Sequence, residues 1–112
     1  MQTQRTRSYS RHSREAVALL GRLIRLHRKK RKLTAKDVAD RVGINRTTLR
    51  KIETGNMKCE SGLLFEVAAL VGVKLFDAEA SSLAELRERT DDRIALLPKT
   101  IRPSEHPLDD DF

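Results

Sequence analysis

Residues 33–55, Leu33-Thr34-Ala35-Lys36-Asp37-Val38-Ala39-Asp40-Arg41-Val42-Gly43-Ile44-Asn45-Arg46-Thr47-Thr48-Leu49-Arg50-Lys51-Ile52-Glu53-Thr54-Gly55, decide the fold. Thr34 is placed to cap a helix, with Asp37 three residues on as its capping-box partner. Val38, Ala39 and Val42 form the inner face of that helix, and Gly43 ends it, since glycine takes the left-handed conformation without steric cost. Asn45 caps the next helix, from Arg46 to about Thr54, with Leu49 and Ile52 inward and Gly55 closing it. Two helices of about eight residues around a glycine turn make a helix-turn-helix pattern.

The same reasoning extends outward. Ala16, Leu20, Leu23, Ile24 and His27 recur at helical spacing, so a first helix is expected from about 14 to 31, capped by Ser13. Its basic end, Arg28 to Lys32, suits the negative pole of the helix dipole. Gly62–Val71 reads as a fourth helix with Leu64, Val67, Ala68 and Val71 inward and Gly72 as terminator. Val73–Phe76 reads either as a strand or as an irregular connection. Ser82 and Glu85 signal a capping box for a last helix over about 83–97, ended before Pro98. The expected division is a flexible basic arm (1–12), a helix-turn-helix domain (13–77), a C-terminal helix (78–97) and a disordered acidic tail (98–112). The fold class is all-α.

Charge is segregated. The 112 residues carry a net +7, but residues 1–58 carry +13 and residues 59–112 carry −6. A basic half of that size attracts polyanions, nucleic acid first and an anionic membrane second. The basic segment lacks the aromatic-bearing apolar face of an interfacial helix, and no apolar run is long enough to span a bilayer. Only Tyr9, Phe65, Phe76 and Phe112 are aromatic, which argues against gripping single strands by stacking. The N-terminal residues lack a signal-peptide pattern, and a lone Cys59 excludes an internal disulfide, so a cytoplasmic setting is expected. His12, His27, His106 and Cys59 lack ligand spacing, and no phosphate loop or nucleophile motif occurs. No metal, cofactor or catalytic activity is expected.

The Leu-Thr start, Val38-Ala39, Gly43-Ile44, Leu49, Ile52-Glu53 before Gly55, and the downstream Leu64, Ala68 and Leu70-Val71-Gly72-Val73 resemble the Cro/C1 (xenobiotic-response-element) repressor family over residues 16–77. The resemblance implies a lambda-repressor-like bundle of four to five helices whose third helix enters the DNA major groove. Leu49 and Ile52 turn inward, leaving Arg46, Thr47, Arg50 and Lys51 free to meet base edges; by the resemblance Arg46, Thr47 and Lys51 fall where bases are read. Asn45, Thr34 and Lys36 are placed near phosphates, and Lys58 matches a family phosphate contact. Ala35 departs from the glutamine common there, which removes one phosphate anchor. The family's ion pair between the first and third helices maps to Arg28 and Glu53.

The expected function is a sequence-specific double-stranded-DNA-binding regulator, a homodimer that represses its own promoter from a palindromic operator. Its dimer surface is expected from Val73, Leu75, Phe76, Leu83 and Leu86, with 73–76 pairing as a short strand. Residues 62–77 also resemble HipB-type antitoxins, which implies a second function, restraint of a HipA-like kinase toxin, with the acidic tail as docking segment.

Overall fold

The computed structural model describes residues 8–77 and 80–103. Arg5 and Arg7 of the expected arm, and residues 104–112 of the expected tail, lie outside the described residues. Five helices follow in order: α1 (Arg11–Lys30), α2 (Ala35–Val42), α3 (Arg46–Glu53), α4 (Ser61–Val71) and α5 (Ala80–Ala95). Among the described residues there is no strand, and the fold is an all-α helix-turn-helix bundle.

Ile24 of α1, Val38 and Ala39 of α2, Leu49 and Ile52 of α3, and Val67, Ala68 and Val71 of α4 bury almost completely in one core. These are the residues that recur at three and four along each helix, so each helix turns one apolar stripe inward. Leu20, Leu23, Leu33, Leu63, Leu64 and Leu70 pack around that centre, half-buried. Ala16, expected inside, is exposed. The buried face of α1 instead includes Gly21 and Arg28.

Local capping sets the angle between α2 and α3. The Thr34 hydroxyl accepts the Asp37 N–H at 3.0 Å, and the Asp37 carboxylate accepts the Thr34 N–H at 2.9 Å. Gly43 adopts φ +85°, and the N–H groups of Gly43 and Ile44 both donate to Ala39 O. Asn45 Oδ1 accepts the Thr48 N–H at 2.7 Å and starts α3. Each of these residues satisfies backbone groups that a helix end leaves open.

The box is sensitive to acid. The Thr34 N–H, and after it the Thr34 hydroxyl, hold the Asp37 carboxyl below the usual carboxylate range. The folded chain therefore favours ionised Asp37. Its stabilisation is complete above about pH 5, where an unfolded aspartate is almost fully ionised, and fades as pH falls through the unfolded and then the depressed folded value. Thr34→Ala is expected to cost about 1 kcal/mol in urea melts at neutral pH. The backbone N–H at position 34 remains in that variant, so the difference from wild type should shrink in acid only by the hydroxyl's share; a constant difference down to about pH 2 would refute the hydroxyl's link to the Asp37 carboxylate.

The ends of α1 and α5 differ from the sequence expectation. Ser10, not Ser13, caps α1: its hydroxyl accepts the Ser13 N–H at 3.1 Å. The apolar period begins later than the helix, so reading the start from the first apolar residue sets it three residues late. Helix α5 begins at Ala80, which leaves Ser82 inside its first turn rather than at its cap, and it ends at Ala95. Ala80 is a good helix former, and the chain is already helical before the Ser82–Glu85 pair. Val73–Phe76 forms no strand in the single chain. Val73 closes α4 through its N–H to Ala68 O and sits in the core, 8% exposed. Phe76 and Asp77 then both adopt positive φ, which ends any extended run.

Candidate nucleic-acid interface

Helix α3 is eight residues long and is held against α1 at its C-terminal end. Gly21 of α1 lies beneath the carbonyls of Ile52 and Glu53, and a Cβ at Gly21 would stand 2.8 Å from Glu53 O. Gly55 rests on the backbone of Ala18. Arg22 Nη1 donates to Glu53 O at 2.7 Å. Small residues on α1 thus let the two backbones meet, and an arginine caps the join.

The Glu53 side chain is clasped as well. Arg28 Nε donates to Glu53 Oε2 at 2.7 Å and Arg28 Nη2 to Oε1 at 3.1 Å, a two-pronged pair, while Nη1 reaches Leu33 O at 3.1 Å. The two side chains are 11% and 9% exposed. The hydrogen bond to Glu53 holds the Arg28 pKa above its ordinary value, against the downward pull of burial. Arg28 is therefore charged at every pH below strong alkali, and its share of the pair persists throughout neutral pH.

With its C-terminal end fixed, α3 presents its opposite side outward. Arg46, Thr47, Arg50 and Lys51 are all exposed. Arg46, Thr47 and Arg50 line a cavity of about 480 Å³ together with Arg25 and Arg28 of α1, Ala35 of α2, and Thr54. Lys51 is not among the lining residues, but it lies one turn beyond Thr47 on the same side of the helix. Glu53 also borders the cavity, but its charge is matched by Arg28. Arg25, Arg46 and Arg50 take part in no ion pair among the described residues, so the concavity carries uncompensated positive charge. Such a concavity attracts an anion, and guanidinium groups suit both phosphate oxygens and the O6/N7 edge of guanine.

The residues expected near phosphate fare unequally. Asn45 uses its Oδ1 on Thr48 and retains its amide N–H groups for an outside acceptor. Thr34 is exposed at the start of α2, but its hydroxyl is engaged with Asp37, accepting the Asp37 N–H and interacting with its carboxylate. Lys36 pairs with Asp40 at 3.0 Å, an exposed bridge worth little and readily exchanged for a phosphate. Lys58 is exposed beyond α3, its N–H held by Asn56 Oδ1 at 2.8 Å. Sequence reasoning missed Arg22, Arg25 and Thr54. The first two stand six and three residues before Arg28, and only the packing of α3 beside α1 brings them to the site.

The residues expected at a dimer surface divide in two. Val73 is committed to the core and Leu75 is half-buried against it. Phe76 is 77% exposed, its ring centroid 6.4 Å from that of Phe65, and it borders an apolar groove with Leu83 and Leu86 of α5. No helix among the described residues is long and apolar enough to cross a membrane.

The family model described as a helix-turn-helix domain matches residues 19–76, just over half of the chain. No curated protein and no solved structure matches it. The matched segment runs from the second half of α1 through α4 to Phe76, and so contains α2, α3 and the cavity between them. On that match and this geometry, the chain belongs to the helix-turn-helix domain family, whose members are DNA-binding regulators.

Proposed function

We propose that the chain is a sequence-specific transcriptional regulator of the Cro/C1 type that binds double-stranded DNA through α3. The observation that carries the reading is the exposed Arg46–Thr47–Arg50 side of α3 opening on a cavity with three unpaired arginines. A major groove about 12 Å wide admits one helix, and the N-terminal residues of that helix reach base edges. In this reading Arg46, Thr47, Arg50 and Lys51 meet bases. Thr34, Lys36, Asn45 and Lys58 meet phosphates and fix the register without reading sequence. The site of action is the cytoplasm.

One such module makes few base contacts, so the active form is a homodimer on a palindromic operator in the gene's own upstream region, where it represses. Phe76, Leu83 and Leu86 support the dimer: three large apolar side chains around one groove, with Ile94 of α5 and Leu97 beyond its end also exposed, form a patch that water disfavours. Nothing in the fold favours the alternative of a HipB-like antitoxin holding a HipA-like kinase, so operator binding is the function proposed.

Gel-shift titration against the upstream region tests it. Arg46→Ala is expected to weaken the cognate site by about 1–3 kcal/mol and to relax the preference at one base pair. Lys58→Ala should weaken all sequences alike and lower the salt slope by about one. Wild-type affinity in both variants would overturn the assignment of contacts.

A further inference from the structure

Helix α1 carries more charge than the recognition cavity uses. Arg11, Arg14, Arg22, Arg25 and Lys29 fall within a sector of about 80° at 3.6 residues per turn. The stripe they form is about 27 Å long at 1.5 Å per residue. All five are exposed, and none takes part in an ion pair among the described residues. Ala18, the small residue in the middle of the stripe, lies under Gly55, while Arg22 is bonded to Glu53 O and Arg25 lines the cavity shared with Arg46 and Arg50. The stripe therefore adjoins the C-terminal end of α3 and continues past it toward the N-terminus of α1. Its first two residues precede the segment matched by the family model, which begins at residue 19.

The first turns hold their charge against local electrostatics. Arg11 and Arg14 stand at the positive pole of the α1 dipole, whose first turn holds no acid. Glu15 borders the stripe but forms no ion pair with it. Positive charge so placed gains nothing from the chain itself, and gains most from an external row of anions. A duplex strand offers one phosphate per 3.4 Å of axis, a spacing that a 27 Å stripe can meet several times.

We infer that α1 is a second DNA-contacting element, with its Arg11–Lys29 stripe lying along the phosphate backbone beside the groove that α3 enters. The inference rests on the DNA-binding reading above and adds to it a footprint wider than α3 and its flanking caps provide. These contacts are to phosphate and carry no base preference, so they strengthen every duplex alike and steepen the dependence on salt.

The test uses the full chain with R11Q/R14Q, two exposed positions outside the cavity, and a control, R89Q/R93Q, that removes the same charge from α5. Each binds a random-sequence 30-bp duplex between 50 and 200 mM salt, with melting curves to verify folding. The plot of log affinity against log salt should become shallower by about two in R11Q/R14Q, near 0.9 per lost phosphate contact, and stay unchanged in the control. An unchanged slope in R11Q/R14Q overturns the inference and leaves the role of α3 standing, provided Arg46→Ala still alters base preference. Equal change in both variants reduces the effect to net charge and also overturns it. Loss of binding to phosphatidylserine vesicles with an unchanged duplex slope would reassign the stripe to a membrane. If wild-type protein binds no duplex at all, this inference and the proposed function fall together.

Discussion

Arg28→Ala is expected to lower the stability of the domain by about 3 kcal/mol in urea or thermal melts, the lower end of the range for breaking a buried pair. The side chains of Arg28 and Glu53 are about one-tenth exposed, and the guanidinium makes three hydrogen bonds, two to the carboxylate and one to Leu33 O. Deleting the arginine leaves a carboxylate with little water and without its paired cation, and leaves the carbonyl of Leu33 without that donor. The carboxylate borders the cavity, where some solvent reaches it, which keeps the loss at the lower end. Glu53→Ala should cost a similar amount, because it strands the guanidinium instead. The double variant should cost less than the sum of the two, since the second removal takes away a charge already stranded. A loss under 1 kcal/mol for Arg28→Ala would rank the pair with exposed bridges and undo its assigned role in seating α3.

Gly21→Ala is expected to destabilise by about 1–3 kcal/mol or more, although helix propensity alone favours it by about 1 kcal/mol. The position lies mid-helix, where alanine is the best residue and glycine among the worst. The added methyl, however, would press on the carbonyl of Ile52 and lie 2.8 Å from that of Glu53. Both are backbone atoms of α3, so relief requires moving one helix against the other, and the buried pair between them. Gly62→Ala is the matched control. A Cβ there meets nothing nearer than Glu60 Oε1 at 3.8 Å, so the propensity gain is unopposed and stability should hold or rise. If Gly21→Ala melts higher than wild type, α1 and α3 do not meet as described.

These two positions also mark what a sequence read alone does and does not carry. The turn from α2 into α3 was legible to the residue, because Thr34, Asp37, Gly43 and Asn45 act on backbone groups three or four places away. Local chemistry of that kind is written in local spacing. The outward side of α3 was legible for a related reason, since Leu49 and Ile52 define its inner face. Gly21 was not legible as a contact, because what forbids a side chain there is a carbonyl thirty residues away. Arg25 was missed on the same ground: one arginine among many on α1 becomes part of a site only when α3 is laid beside it. The ends of α1 and α5 were misread for a different reason. Ser10 competes with Ser13, and Ala80 outruns Ser82, by margins too small for spacing to decide.

The brevity of α2 and α3 has a consequence for where specificity resides. Eight residues lie below the length at which a helix sustains itself in water, because nucleation costs more than so few bonds return. A peptide copied from 45 to 54 would be coil, and grafting Arg46, Thr47, Arg50 and Lys51 onto another scaffold would carry their chemistry but not their bearing. That bearing is imposed from α1, through a glycine, an alanine and two arginines that need never touch a base. The reader of the groove is therefore the bundle, and the helix is only its edge.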